Sequence, residues 1–187
     1  MHTIYLVRHA HSPYTPDERG RPLSEKGLND ALEIANYFQS IHVDRFISSP
    51  YQRAVQTIEP TAVLKNKSII FEEGFKERQL AKESVVDFEA AIHAVWKDET
   101  FTHDGGESNE TARTRGINSL WRSLDQDKQD ETIVISTHGN LLALLLNHFH
   151  KRYNYAFWQQ LDMPDIYQLT LEKQQMIDCK KVWRKNM

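Results

Sequence analysis

The chain has 187 residues, 40% of them hydrophobic and 26% charged, which is enough apolar material for one sizeable core and too short for several large domains. Its 26 acidic and 23 basic side chains leave a formal net charge of −3, so nothing general attracts it to nucleic acid or anionic lipid, and a polyanionic ligand needs a local basic pocket. The single cysteine, Cys179, excludes an internal disulfide and a multi-cysteine metal site and fits a reducing compartment. With neither a basic leader followed by an apolar run nor a membrane-length apolar stretch, the expectation is one cytoplasmic domain over residues 1–187 with no membrane partner.

In chain order, Thr3–Val7 is the first of several short apolar runs that read as strands, and it ends in "LVRHA", which carries Arg8 and His9 past the strand. Ser24 is placed to cap a first helix with Leu28, Leu32, Ala35 and Phe38 on one face. Arg45–Ser48 reads as a second strand, after which Ser48-Ser49-Pro50 introduces a helix over Tyr51–Val63 with Arg53 in its first turn. Ser68–Phe71 is the third strand. Two covering helices follow: Val85, Phe88, Ala91, Ile92 and Val95 recur at helical spacing between Ser84 and Glu99, and Ile117, Leu120, Trp121 and Leu124 do so over Thr111–Leu124. Thr132–Ser136 is a strand running into "STHGN" and His138. From Asn140 to His148 five leucines in nine residues make a helix apolar nearly all round, hence packed deep. Ile166–Leu171 and Gln175–Val182 complete the strands, and the basic tail "KKVWRK" reads as a solvated terminus. Strands alternating with helices, without repeats or Gly/Pro-rich linkers, predict an α/β domain with a mostly parallel sheet.

In such a sheet, ligands collect beyond the carboxyl ends of the strands, where loop N–H groups and helix N-termini favour anions. Arg8, His9, Arg53 and His138 all fall at such ends and therefore converge on one edge. Each alone has an ordinary reading: a strand-end histidine is more often a satisfied structural residue, Arg53 a helix-face arginine, and His138 before a glycine simple turn chemistry. Three separate loops delivering cationic and imidazole groups to one place is a stronger signal than any of them. The remaining histidines, His2, His42, His93, His103, His148 and His150, show no ligand spacing that specifies a metal.

Taken in order, "LVRHAHS", "PLSEKGLNDA", "SSPYQRAVQT", "GFKE", "GGES" and "STHGN" resemble the histidine phosphatase superfamily, also called the phosphoglycerate mutase-like family. The resemblance implies a three-layer α/β/α sandwich with a mostly parallel central sheet and chemistry through a phosphohistidine. It makes His9 the nucleophile, Arg8, Arg53 and His138 the phosphate pocket, and Glu77 the proton donor. Thr15 stands where relatives often carry asparagine, and is either a hydroxyl donor to phosphate or an ordinary loop threonine. Glu107 in "GGES" is suited to orient an arginine, with Ser108 or Asn109 capping the next helix. Glu77 ends "FKE", which is similar to the family's Leu-Arg-Glu, whereas the chain departs from the family pattern where "RHAH" replaces Arg-His-Gly-Glu and "LAKESVV" replaces a Gly-x-Trp-Glu-Gly stretch.

The residue types suit phosphate chemistry on their own terms. Phosphoryl transfer needs positive charge and donors around the equatorial oxygens, which two never-deprotonated arginine forks supply. Imidazole, with a reference pKa of about 6.5, offers a neutral attacking nitrogen near pH 7. His138 serves as a cationic donor if protonated and as a single donor if neutral. The leaving alkoxide needs a proton, which a carboxyl such as Glu77 gives and later recovers from water. The expected function is a metal-independent, cofactor-free phosphomonoesterase acting on a small phosphorylated metabolite, with residues 76–110 facing the substrate and no nucleic-acid partner. Phosphoglycerate mutase-type transfer and a catalytically silent phospho-ligand module are the alternatives.

Overall fold

The computed structural model describes residues 1–124, 128 and 130–183, so of the basic tail only Lys180–Trp183 falls within the described residues. In chain order the elements are β1 (His2–Arg8), α1 (Glu25–Tyr37), β2 (Arg45–Ser48), α2 (Gln52–Leu64), β3 (Ile69–Phe71), α3 (Phe88–Lys97), α4 (Asn109–Ser123), β4 (Glu131–Thr137), α5 (Gly139–Phe149), α6 (Tyr155–Gln159), β5 (Asp165–Glu172) and β6 (Gln175–Lys181). The six strands form one sheet in the order β3-β2-β4-β1-β5-β6. β3, β2, β4 and β1 pair in parallel, whereas β5 runs antiparallel to β1 and β6 antiparallel to β5. The β5–β6 pairing is antiparallel because the two strands are joined only by Lys173-Gln174, whose φ values of 46° and 63° are the left-handed backbone of a tight hairpin.

Strand alternation explains the layers. Ile4, Leu6, Ile47, Ile133 and Ile135 face one side, where Ile117 and Leu120 of α4 and the leucines of α5 cover them. Tyr5, Val7, Phe46, Val134 and Ile166 face the other, against Ile34 and Phe38 at α1 and Ile58 and Ala62 of α2. A sheet covered on both faces needs strands apolar on both, which is why its central strands read as continuous apolar runs. The α/β fold with a mostly parallel, helix-covered sheet is thus observed.

α5 is buried from Gly139 through Asn147. Because Leu144 is fully enclosed, Leu144→Ala is expected to cost about 2–5 kcal/mol. Urea denaturation checks this as a lowered midpoint at unchanged slope.

Two helix details differ from the sequence reading. On α1 the buried face is Gly27, Asp30, Ala31, Ile34 and Ala35, while Leu28 and Leu32 are exposed. The reason is local: a Cβ at Gly27 would lie 2.2 Å from the His11 carbonyl oxygen, so only the glycine stripe can sit against the loop after β1. α3 begins at Phe88 rather than Ser84, since the Asp87 side chain accepts the Ala90 N–H and caps it there, leaving Val85 outside the helix and Phe88 exposed.

Candidate active site

Three chain segments leave the sheet side by side. The backbone N–H of His9 donates to Thr137 O at 3.0 Å and that of Ser49 to Ser136 O at 2.9 Å, so the loops after β1, β2 and β4 are locked together as they depart. This brings Arg8, His9, Arg53, His138 and Glu77 into one group.

His9 is 5% exposed, and its Nδ1 lies 2.7 Å from Ala10 O. A carbonyl oxygen only accepts, so Nδ1 carries the proton and Nε2 presents its lone pair. The Arg53 Nε–H points at that lone pair from 3.2 Å. Burial, followed by the charges of Arg53, Arg8 and Arg21, lowers the His9 pKa to about 3, so the ring is neutral throughout the physiological range. The Ala10 N–H in turn donates to Thr57 Oγ1, which itself donates to Arg53 O, tying the His9 loop to the first turns of α2.

His138 packs edge-on against His9 with ring centroids 5.2 Å apart, and against Tyr51 at 5.0 Å. Its Nε2 is 2.8 Å from Ser49 Oγ, while its buried Nδ1 has no partner among the described residues. Burial first, then Arg53 and His9, holds its pKa well below the usual histidine range, so His138 is the neutral donor of the two forms open to it.

The two arginines are held from behind. Arg53 is 1% exposed, and Glu18 grips it through its backbone O and its carboxylate, with Nη2 3.0 Å from Oε2. Arg53 also lies over the Tyr51 ring at 5.0 Å. Arg8 donates through Nη1 to Leu161 O at 2.8 Å and Asp162 O at 3.2 Å. Its guanidinium lies close along the start of α5, where a Cβ at Gly139 would come within 3.0 Å of Arg8 Cζ and Nε. Gly139→Ala is therefore expected to displace Arg8 and weaken inhibition by inorganic phosphate by roughly tenfold, about 1.4 kcal/mol; an unchanged inhibition constant would contradict the close approach.

Glu77 reaches the site from the segment after a 3-10 turn over Glu73–Phe75. Thr137 Oγ1 donates to Phe75 O at 2.8 Å, and Arg115 donates to Gly74 O and Lys76 O. Glu107 holds Arg115 in a two-pronged pair at 2.8 and 2.7 Å, the orienting role expected of it. The Glu77 carboxylate accepts N–H groups of Arg78, Asn140 and Leu141, two of them at the N-terminus of α5. Ser108 caps α4 by accepting the Thr111 N–H.

Thr15 is not joined to the group: its hydroxyl donates into its own loop, 3.4 Å from Asp17 O. Sequence reasoning missed Glu18, Arg21, Ser49 and Tyr51. Ser49 and Tyr51 lay inside "SSPYQRA" but read as helix-introducing; Glu18 and Arg21 sit in a polar loop, and nothing local announces that Glu18 pairs with Arg53 on another element or that the charge of Arg21 acts on His9.

The two neutral histidines set a pH dependence of stability. Below the ordinary histidine value of 6.5 the unfolded chain takes up protons that folded His9 refuses until about pH 3, so stability falls as the pH falls through that window. The slope is about 1.4 kcal/mol per pH unit for each histidine fully protonated only when unfolded. The urea midpoint should decline between pH 6.5 and about 4, and less steeply in His138→Gln; equal slopes in the two proteins would place the acid sensitivity elsewhere.

A strand-end histidine beside buried arginines on a mostly parallel, helix-covered sheet defines a class of α/β enzymes that handle phosphate esters. The chain belongs to the histidine phosphatase superfamily, branch 1, whose family model matches residues 4–179. It is 26% identical over 160 residues to a probable phosphoglycerate mutase of Shigella dysenteriae, covering 79% of this chain and 74% of that protein. The fold matches a mycobacterial glucosyl-3-phosphoglycerate phosphatase solved with inorganic phosphate, at TM-score 0.74 and 22% identity over 97% of this chain and 96% of the other. It also matches a phosphoserine phosphatase of Entamoeba histolytica at TM-score 0.76 and 17% identity, over 96% of each chain. No helix among the described residues is long and apolar enough to cross a membrane.

Proposed function

We propose that the protein hydrolyses the phosphate monoester of a small metabolite through a phosphohistidine on His9. The observation that carries this reading is the state of His9: neutral, with Nδ1–H held by Ala10 O and the Nε2 lone pair turned toward the Arg53 donor. A phosphoryl group seated there takes the Arg53 N–H onto an equatorial oxygen, which leaves the lone pair to attack phosphorus. As the Nε2–P bond forms and the ester P–O bond breaks, Glu77, which enters this step as the carboxylic acid, gives its proton to the leaving oxygen and is left as the carboxylate. The phosphorylated ring keeps its Nδ1 proton and becomes cationic, a charge that the Ala10 carbonyl supports. Water then attacks phosphorus, its proton returns to Glu77, and His9 is regenerated neutral as phosphate departs. Arg8, Arg53 and neutral His138 serve as donors to the phosphoryl oxygens throughout, and residues 76–110 supply the substrate-facing wall.

The test is phosphate release from a panel of phosphomonoesters in excess chelator; the best member of the panel begins to define the substrate. The similarity to a probable phosphoglycerate mutase favours one second reading, return of the phosphoryl group to a substrate hydroxyl. Isomerisation of 3-phosphoglycerate faster than its hydrolysis would establish that reading in place of the first.

A further inference from the structure

The way Arg8 is held reaches beyond the site. Arg8 Nη1 donates to Leu161 O and Asp162 O, while among the described residues Nε and Nη2 make no hydrogen bond. In a guanidinium, Nε and Nη2 form one edge, the side-on fork that matches two oxygens of a phosphate. The two carbonyls thus hold the far corner of the group and leave that fork unused.

Those carbonyls belong to the turn that enters β5, and the turn is held by a charged clip. Asp165 stands directly across from Arg8 in the β1–β5 register and is fully buried. Its Oδ2 accepts the Asp162 N–H at 3.0 Å and its Oδ1 the Ile166 N–H at 3.0 Å. Lys181, the last residue of β6, bridges Asp165 Oδ2 at 3.0 Å and Asp162 Oδ2 at 2.5 Å. A buried carboxylate set between Lys181 and the Arg8 guanidinium is costly to disturb, so the turn has one arrangement while the clip is intact.

We infer that Lys181 and Asp165 are positioning residues for phosphate binding: their clip fixes the Leu161 and Asp162 carbonyls, which aim the Nε–Nη2 fork of Arg8 at the phosphate. The inference rests on the proposed role of Arg8 as a phosphate ligand. Asp165 lies on the strand next to Arg8 and Lys181 on the edge strand beyond it, so both act on the phosphate through Arg8 rather than on the phosphate itself.

The experiment is a double-mutant cycle read by the dissociation constant of inorganic phosphate, in Arg8→Lys, Lys181→Met and the pair, with Lys181→Arg and Asp165→Asn alongside. Lys181→Met is expected to weaken phosphate binding about tenfold, the scale on which groups that orient a ligating side chain act. Lys181→Arg, which keeps the charge, should recover most of that loss, and Asp165→Asn should fall between. In the Arg8→Lys background the fork is gone, so Lys181→Met should change phosphate binding less than twofold. An equal loss in both backgrounds, or no loss in Lys181→Met alone, would overturn the clip. A wild-type protein that binds no phosphate, or an Arg8→Lys variant that binds it as tightly, would instead overturn the phosphate role of Arg8 on which the clip rests, so the two failures are told apart.

Discussion

His9→Ala should lower phosphate release by at least about a thousandfold while leaving inorganic phosphate bound nearly as tightly as in the wild type. The split follows from the geometry. On the proposed reading the His9 imidazole supplies the attacking lone pair, and the other neutral ring of the group, His138, has its Nε2 engaged with Ser49 Oγ. On the proposed reading the donors to phosphate sit on Arg8, Arg53 and His138, and the two arginines are held by the Leu161, Asp162 and Glu18 carbonyls rather than by His9. Loss of the ring even returns the Arg53 Nε–H to the anion. Rapid-quench measurement of acid-labile phosphoprotein should show label in the wild type and none in His9→Ala. Release that survives the substitution would refute the phosphohistidine outright, and parallel loss of binding would mean that the variant had collapsed the pocket.

The second large effect is at Glu77. Glu77→Gln should slow hydrolysis of alkyl phosphates by roughly a hundredfold to ten-thousandfold and that of nitrophenyl phosphate by no more than about tenfold, because an activated phenolate departs without a proton and an alkoxide does not. The glutamine has an internal cost. Glu77 Oε1 accepts from Arg78 N and Leu141 N and Oε2 from Asn140 N, so an amide keeps the first pair and sets its NH2 against the Asn140 N–H. The nitrophenyl ester is the control for that disturbance. If both esters slow by the same factor, the carboxyl is holding the start of α5 rather than delivering a proton.

These predictions draw on different amounts of sequence information. The alternation of Ile4, Tyr5, Leu6 and Val7, and the run of Asn140 to His148 apolar nearly all round, encode burial on two faces and burial on every face, so strands and the deep helix were legible from spacing alone. Arg8, His9, Arg53 and His138 were legible because strand ends are one-dimensional positions, and parallel topology carries such ends to one edge. The buried face of α1 was not legible: Leu28 and Leu32 outscore Gly27 and Asp30 in hydrophobicity, yet the helix rotates to the glycine because the His11 carbonyl leaves no room for a Cβ.

What the amino-acid sequence determined by itself, then, was the α/β class, the order of its elements and the residue types brought to one edge of the sheet, since these follow from local periodicity and from where each strand stops. Only the tertiary structure decided the state and aim of those groups. The neutrality of His9 comes from its burial and the arginines around it. The grip of Glu18 on Arg53 spans 35 residues and that of Leu161 on Arg8 spans 153. The Lys181 clip joins the last strand to the first through β5. Such terms depend on distance and solvent exclusion between segments remote in the chain, and no local pattern of residues carries them.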